Sequence, residues 1–196
     1  MDKEGKKYLQ LKLKDLISKA GVKLIELHFR QVAGVELEYV RLGEAALYYD
    51  ASVVGEGDIT AIFSRLGFEA INDSEDVIVE RIRIAAIELI YYASNVSSLI
   101  RNSDYISERL GLPYDKLSRI FSKKCNKTLE NYLIQLKIEK VKELISNDHY
   151  TLSEISYMLG YSSVHYLSNQ FKKTTGITVS QYKDHPDIGR IPLEEI

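Results

Sequence analysis

From Tyr8 to Leu13 the chain alternates, with Leu9, Leu11 and Leu13 on one side and Gln10 and Lys12 on the other. A period of two is the pattern of a half-buried strand. From about Ser18 the period lengthens: Val22, Ile25, Phe29 and Val32 fall on one helical face, and Gly34 ends the run. VELEYV alternates again, Leu42-Gly43 breaks it and EAALYYD comes next, which predicts a hairpin turned at Gly43. Asp58 is placed to cap a helix whose Ile59, Ile62, Phe63 and Leu66 face inward before Gly67 stops it, and FEAIND closes the set as a strand.

The resulting order, βαββαβ, is the split βαβ arrangement of a small ferredoxin-like domain, expected over residues 1–73. Residues 74–93 are apolar over most of a helix's circumference, with Ile78, Ile82, Ala85 and Leu89 in one stripe and Val79, Ala86, Ile90 and Ala93 in a second. Such a helix is buried on more than one side and is read as the first helix of the C-terminal half, set against the small domain. The polar stretch NVSSLIRNS completes a connection over 74–101 and leads into a short helix, Asp104 to Leu110.

The second half repeats itself. LSRIFSKKCNKTLENY (117–132) returns fifty residues later as LSNQFKKTTGITVSQY (167–182), with Leu, Ser, Phe, Lys, Thr and Tyr in register. Two copies are a duplicated unit, too few for a stacked solenoid. Each copy is preceded by a short apolar helix with a glycine stop, SDYISERLG and TLSEISYMLG. A short helix, a tight turn and a second helix with a small polar and basic face is a helix-turn-helix. The predicted fold is therefore α+β, with an all-α double helix-turn-helix domain at 102–185 and a tail at 186–196 that carries no readable motif.

Pro113 is tolerated in a helix's first turn and sets the first reading helix at about 113–124. Its outer face holds Asp115, Lys116, Ser118, Arg119, Ser122 and Lys123. Arg119 can make two parallel hydrogen bonds to a guanine edge, and Lys116 and Lys123 lie where phosphates are met. Thr128 caps a helix of about 129–146, whose length of about 27 Å approaches the ~34 Å between successive major grooves on one DNA face. Thr151-Leu-Ser-Glu154 is a capping box for the next short helix. The second reading helix, about Ser163 to Thr174, exposes Ser163, Val164, His165, Ser168, Asn169, Lys172 and Lys173. Asn169, in register with Arg119, suits adenine; Val164 suits a thymine methyl, and His165 a phosphate more than a base. An ordinary solvated basic face is the plain alternative for both helices.

Residues 151–183 resemble the second helix-turn-helix of the AraC-type transcription regulators, on Gly160, Tyr161, Ser162, Phe171, Lys172, Lys173 and Gly176. Ser156 stands where that family usually has alanine, and Val179 where it commonly has proline. The resemblance extends over roughly 76–185 and implies a sequence-specific regulator of transcription that binds double-stranded DNA with two helix-turn-helix motifs. GVELEYVRLGEAALYYD and ITAIFSRLGFEA resemble the heavy-metal-associated domain of metallochaperones. That family's cysteine pair would fall near Lys19 and Val22, where this chain has none, so the scaffold is expected without its soft-metal chemistry. His28 is one imidazole on a helix and is read as a half-buried packing residue.

Composition adds direction. A net charge of −2 argues mildly against nucleic acid until the chain is divided. Residues 1–101 carry 13 Lys/Arg against 16 Asp/Glu, a balance of −3, and residues 102–184 carry 12 against 9, a balance of +3. The second half has the sign that phosphates want. No apolar run reaches the ~18 residues of a membrane span, and charged residues come directly after Met1, so a soluble, cytoplasmic protein without membrane partners is expected. One cysteine, Cys125, cannot form an internal disulfide or a multi-thiolate site and reads as packing filler at a helix end. No glycine-rich phosphate loop, nucleophile with its base, or spaced carboxylate pair is present, so neither an enzyme nor a cofactor is expected. The competing class is a small-ligand or partner-protein sensor whose basic half mediates protein interaction. For the N-terminal domain, an effector, a protein partner and a second copy of the chain in a homodimer all stay open.

Overall fold

The computed structural model describes residues 5–92, 101–185 and 189–196. Most of the predicted connection at 94–101, Ala93, the start of the chain and residues 186–188 of the predicted tail lie outside the described residues. Two compact units divide the chain, Met1–Ile84 and Ala85–Ile196.

In the first unit the order is β1 (Lys7–Lys14), α1 (Lys19–Phe29), β2 (Val35–Arg41), β3 (Glu44–Tyr49), α2 (Glu56–Arg65), β4 (Glu69–Ile71) and the first part of α3 (Ser74–Ile87). The strands form one antiparallel sheet in the order β2-β3-β1-β4. Its inner face is Leu11, Leu13, Ala45 and Leu47, which packs with Ile25 and Phe29 of α1 and Ile59 and Phe63 of α2. The rings of Phe29 and Phe63 lie 4.7 Å apart. Gly43, at φ +72°, makes the β2–β3 turn, and an added Cβ there would meet the Ile84 side chain at 2.6 Å.

Some boundaries differ from the pattern. Ser18 caps α1 by accepting from the Gly21 amide at 3.1 Å, but the helix ends at Phe29, leaving Val32 beyond it. Asp58 is not the cap of α2: Gly55 is, and Asp58 sits at the third helical position, accepting from the Gly55 amide at 3.1 Å. Aspartate serves both positions, because each has unpaired amides to satisfy. His28 is exposed, not half-buried.

Hydrophobic periodicity does not reveal two buried charged groups in this unit. Glu44, on the outer face of β3, is 6% exposed and meets Arg41 Nε at 2.8 Å, the Tyr39 hydroxyl at 2.7 Å and the Lys12 ammonium. On α3, Glu80 accepts from the Asp15 amide at 3.0 Å, and Arg83 bridges Glu80 at 3.3 Å and the Asp15 carboxylate at 2.5 Å. Burial pushes the Glu80 carboxyl up to about 7, and Arg83 only partly offsets it.

The second unit holds Ala85–Ile87, a π-helical turn at Glu88–Tyr92, and then α4 (Asn102–Leu110), α5 (Tyr114–Cys125), α6 (Leu129–Ser146), α7 (Leu152–Met158), α8 (Val164–Thr175) and α9 (Val179–Asp184). The short helix expected from Asp104 starts two residues earlier, with Asn102 and Ser103 already in α4. Residues 189–196 run back along α6. There Lys142 donates to the Gly189 carbonyl at 2.6 Å, and the Ile191 amide donates to Glu139 at 3.1 Å. Glu139 and Lys142 are themselves a buried pair at 2.6 Å, 4% and 7% exposed.

Candidate nucleic-acid interface

The sequence repeat is a structural repeat with the same offset. α4 and α7 begin at 102 and 152, α5 and α8 at 114 and 164, and α6 and α9 at 129 and 179. Both reading helices run 12 residues and end on a left-handed cap, Asn126 at φ +53° and Gly176 at φ +81°. A Thr then starts the next helix in each copy, its hydroxyl accepting from the amide three residues on, Thr128 from Asn131 and Thr178 from Gln181. Each copy is locked by one aromatic pair, Phe121 with Tyr132 at 5.0 Å and Phe171 with Tyr182 at 5.7 Å. These rings and Leu117 and Leu167 are buried, so each reading helix is anchored along one face.

The opposite faces carry the candidate residues. On α5, Lys116, Arg119 and Lys123 are exposed and Ser118 is half-buried beside them. Pro113 proves to be the cap residue of α5 and not its first turn. Arg119 Nε donates to the Asp115 carbonyl at 3.2 Å, one turn back, which lays the guanidinium along its own helix. On α8, His165, Asn169, Lys172 and Lys173 are exposed, and Val164 and Ser168 half-buried. Asn169 Nδ2 lies 3.0 Å from His165 Nε2, so these two side chains form one polar unit on adjacent turns. Ser163 is the cap of α8, its hydroxyl accepting from the Tyr166 amide at 3.1 Å. That hydroxyl is committed to the helix start, a role that the periodicity, which places Ser163 inside the helix, does not assign.

Sequence reasoning also passes over residues between the two reading helices. A cleft of about 550 Å³ is lined by Tyr114 and Ser118 of α5, Tyr166 and Gln170 of α8, and Lys137 of α6 among others. Tyr166 is 55% exposed and is the register partner of Lys116; the fifty-residue offset is the signal that points to it. Burial pulls the Lys137 ammonium below the ordinary lysine range, and it pushes up the phenol of the neighbouring Tyr161.

Two helix-turn-helix motifs on one chain, each with its second helix anchored inward and polar outward, define a helix-turn-helix domain of the DNA-binding class. The family described as "Helix-turn-helix domain" matches residues 106–185. The xylose operon regulatory protein of Escherichia coli K12 is 27% identical over 100 residues, 51% of this chain and 26% of that protein. The Msm operon regulatory protein of Streptococcus mutans is 29% identical over 90 residues, 46% of this chain and 32% of that protein. Among solved structures, the C-terminal domain of AraT, a response regulator from Geobacillus stearothermophilus, is 26% identical with a TM-score of 0.48, over 55% of this chain and 84% of that one. Residues 106–185 are therefore a helix-turn-helix domain, similar in sequence to those of these operon regulators. The matched stretch is about a quarter of the length of the xylose regulator. Among the described residues no helix is long and apolar enough to cross a membrane.

Proposed function

We propose that the protein is a sequence-specific regulator of transcription whose single chain reads two successive major-groove segments of double-stranded DNA, one with α5 and one with α8. The observation that carries this is the structural repeat: two helices of equal length, fifty residues apart, anchored by equivalent aromatic pairs and exposed on equivalent faces. Arg119 and Asn169 occupy the same place on the two helices and read base edges, with Val164 against a thymine methyl. Lys116, Lys123, Lys172 and Lys173 meet phosphates, joined by Ser118, Ser168 and His165 at the groove walls. Ser163 contributes through the start of α8, where its cap sets the direction of the helix. DNA selection from a random pool at moderate salt tests this reading. An enriched motif with two separated halves supports it; no enriched motif at all overturns it.

For residues 1–73 we infer a ferredoxin-like domain of the heavy-metal-associated kind, a reading supported by the βαββαβ order and the β2-β3-β1-β4 sheet. Lys19 opens α1 and Val22 lies in its first turn, where that kind of domain would hold two thiolates, so the soft-metal site has no ligands. Its role is then to receive an effector or a protein partner, with the helix-turn-helix half beginning at 102. On this reading the protein acts in the cytoplasm by binding DNA, with no catalytic role and no cofactor in the proposal.

A further inference from the structure

Lys137 sits on α6, between the two motifs, and its ammonium turns inward. It donates to the carbonyl of Leu159 at 2.8 Å and lies 5.6 Å from the centre of the Tyr161 ring. Leu159 is the residue that closes α7, and the last carbonyls of a helix have no partner within it. A cation there satisfies an orphan acceptor and opposes the negative end of the helix dipole. Leu159, Gly160 and Tyr161 form the turn between α7 and α8, so the bond ties the spacer helix to the loop that aims the second reading helix. α7 has only seven residues and offers little surface to hold its own orientation. The ammonium is drawn out of water for this contact, as its lowered proton affinity reflects.

We propose that Lys137 is a positioning residue that fixes the offset of α8 from α5, and through it the spacing between the two DNA segments the protein accepts. This rests on α5 and α8 being the DNA-reading helices. Two linked binding elements gain affinity only when their geometry allows both to engage at once. Loosening the link costs the two-part site, while each half alone binds as before.

The test uses the full chain with Lys137→Met, Lys137→Gln and Lys137→Arg. Binding is measured on the selected duplex, on duplexes with one base pair added or removed between the halves, and on duplexes with either half scrambled. Lys137→Met is expected to lose about tenfold on the intact site, to change by less than about twofold on the half-scrambled ones, and to discriminate less against altered spacing. Lys137→Arg keeps a donor and should restore the wild-type preference. Equal losses on intact and scrambled duplexes would make Lys137 a plain phosphate contact or a stability residue and overturn the proposal. A second arm needs no DNA: spin labels at Lys124→Cys and Thr174→Cys in a Cys125→Ser background report the distance between α5 and α8. Lys137→Met should broaden or shift that distance distribution. An unchanged distribution overturns the proposal. If the wild type selects no motif, the DNA reading falls instead, and the distance arm still decides whether Lys137 fixes the two helices.

Discussion

Replacing Glu80 with glutamine should change how the protein's stability depends on pH, and the size of the change comes from where the carboxyl sits. Glu80 is 4% exposed, its two oxygens face the Asp15 amide and the Arg83 guanidinium, and its carboxyl titrates at about 7 against 4.5 in an unfolded chain. The folded state therefore holds a proton that the unfolded state has released, and stability falls as pH rises from about 4.5 and levels off above about 7. A difference of roughly 2.5 units at about 1.4 kcal/mol each amounts to about 3 kcal/mol across that window. Glutamine keeps a carbonyl for the Asp15 amide, Arg83 keeps the Asp15 carboxylate, and nothing at position 80 ionises. Relative to the wild type, Glu80→Gln should thus be more favourable at pH 7.5 than at pH 5, by about 2 kcal/mol, because at pH 5 most of the unfolded-state carboxyl has already ionised. Urea unfolding monitored by circular dichroism at a series of pH values from 5 to 8 measures it. Since the chain has two compact units, the transition of the N-terminal one has to be resolved from that of the other. Parallel pH profiles for variant and wild type would show that the carboxyl ionises as freely in the fold as in water, and the reasoning from burial would fail.

The DNA-binding half and the N-terminal sheet carry further expected outcomes. Arg119→Ala and Asn169→Ala should each cost about 1–3 kcal/mol on the selected site and relax one base position, the two positions lying about 10 bp apart in binding-site selections; relaxation of adjacent bases would contradict a two-groove arrangement. Lys123→Ala and Lys173→Ala should weaken binding to all sequences and reduce the slope of log K against log salt by about one each, seen in salt titrations of any duplex. Ser163→Ala should lower stability by about 1 kcal/mol in thermal unfolding while leaving base preference intact, because its hydroxyl is spent on the Tyr166 amide; an altered motif with unchanged stability would assign it to the DNA instead. Calorimetry of the full chain with copper or zinc should show no stoichiometric submicromolar binding, and such binding would restore a metal role to the N-terminal domain.

The elements with a strong period are legible in the sequence. Alternation through β1 and the β2–β3 hairpin places three strands of the sheet, and the repeat places both reading helices to within a residue or two, because in each case one face is buried and the other wet. What stays hidden has a physical reason in each instance. Asp58 reads as a cap because an aspartate before an apolar run satisfies amides equally well from the cap or from the third position, and the glycine that fills the cap carries no side-chain signal. Glu80, Arg83, Glu139 and Lys142 are invisible as interior residues, since a charge on a helix reads as a solvated face until its partner is known, and each of the four has a backbone or side-chain partner 47 to 68 positions away. Lys137 escapes notice for the same reason: its partner is a carbonyl, which every residue has. The exposed candidates of α5 and α8 are legible by register alone, whereas the commitment of Ser163 to its cap and the pairing of Asn169 with His165 are matters of geometry.

The family match stops at residue 185, but the physical domain does not. Glu139 and Lys142 lie inside α6 with their remaining hydrogen-bonding capacity met by the backbone of Ile191 and Gly189. A fragment trimmed at the edge of the recognisable motif would strip both of those partners from a dry ion pair, at a cost on the order of several kcal/mol if the two charges stay enclosed. Reporter fusions, isolated-domain preparations and domain grafts should therefore retain Gly189 and Ile191, because here a segment with no motif supplies the backbone partners of the interior.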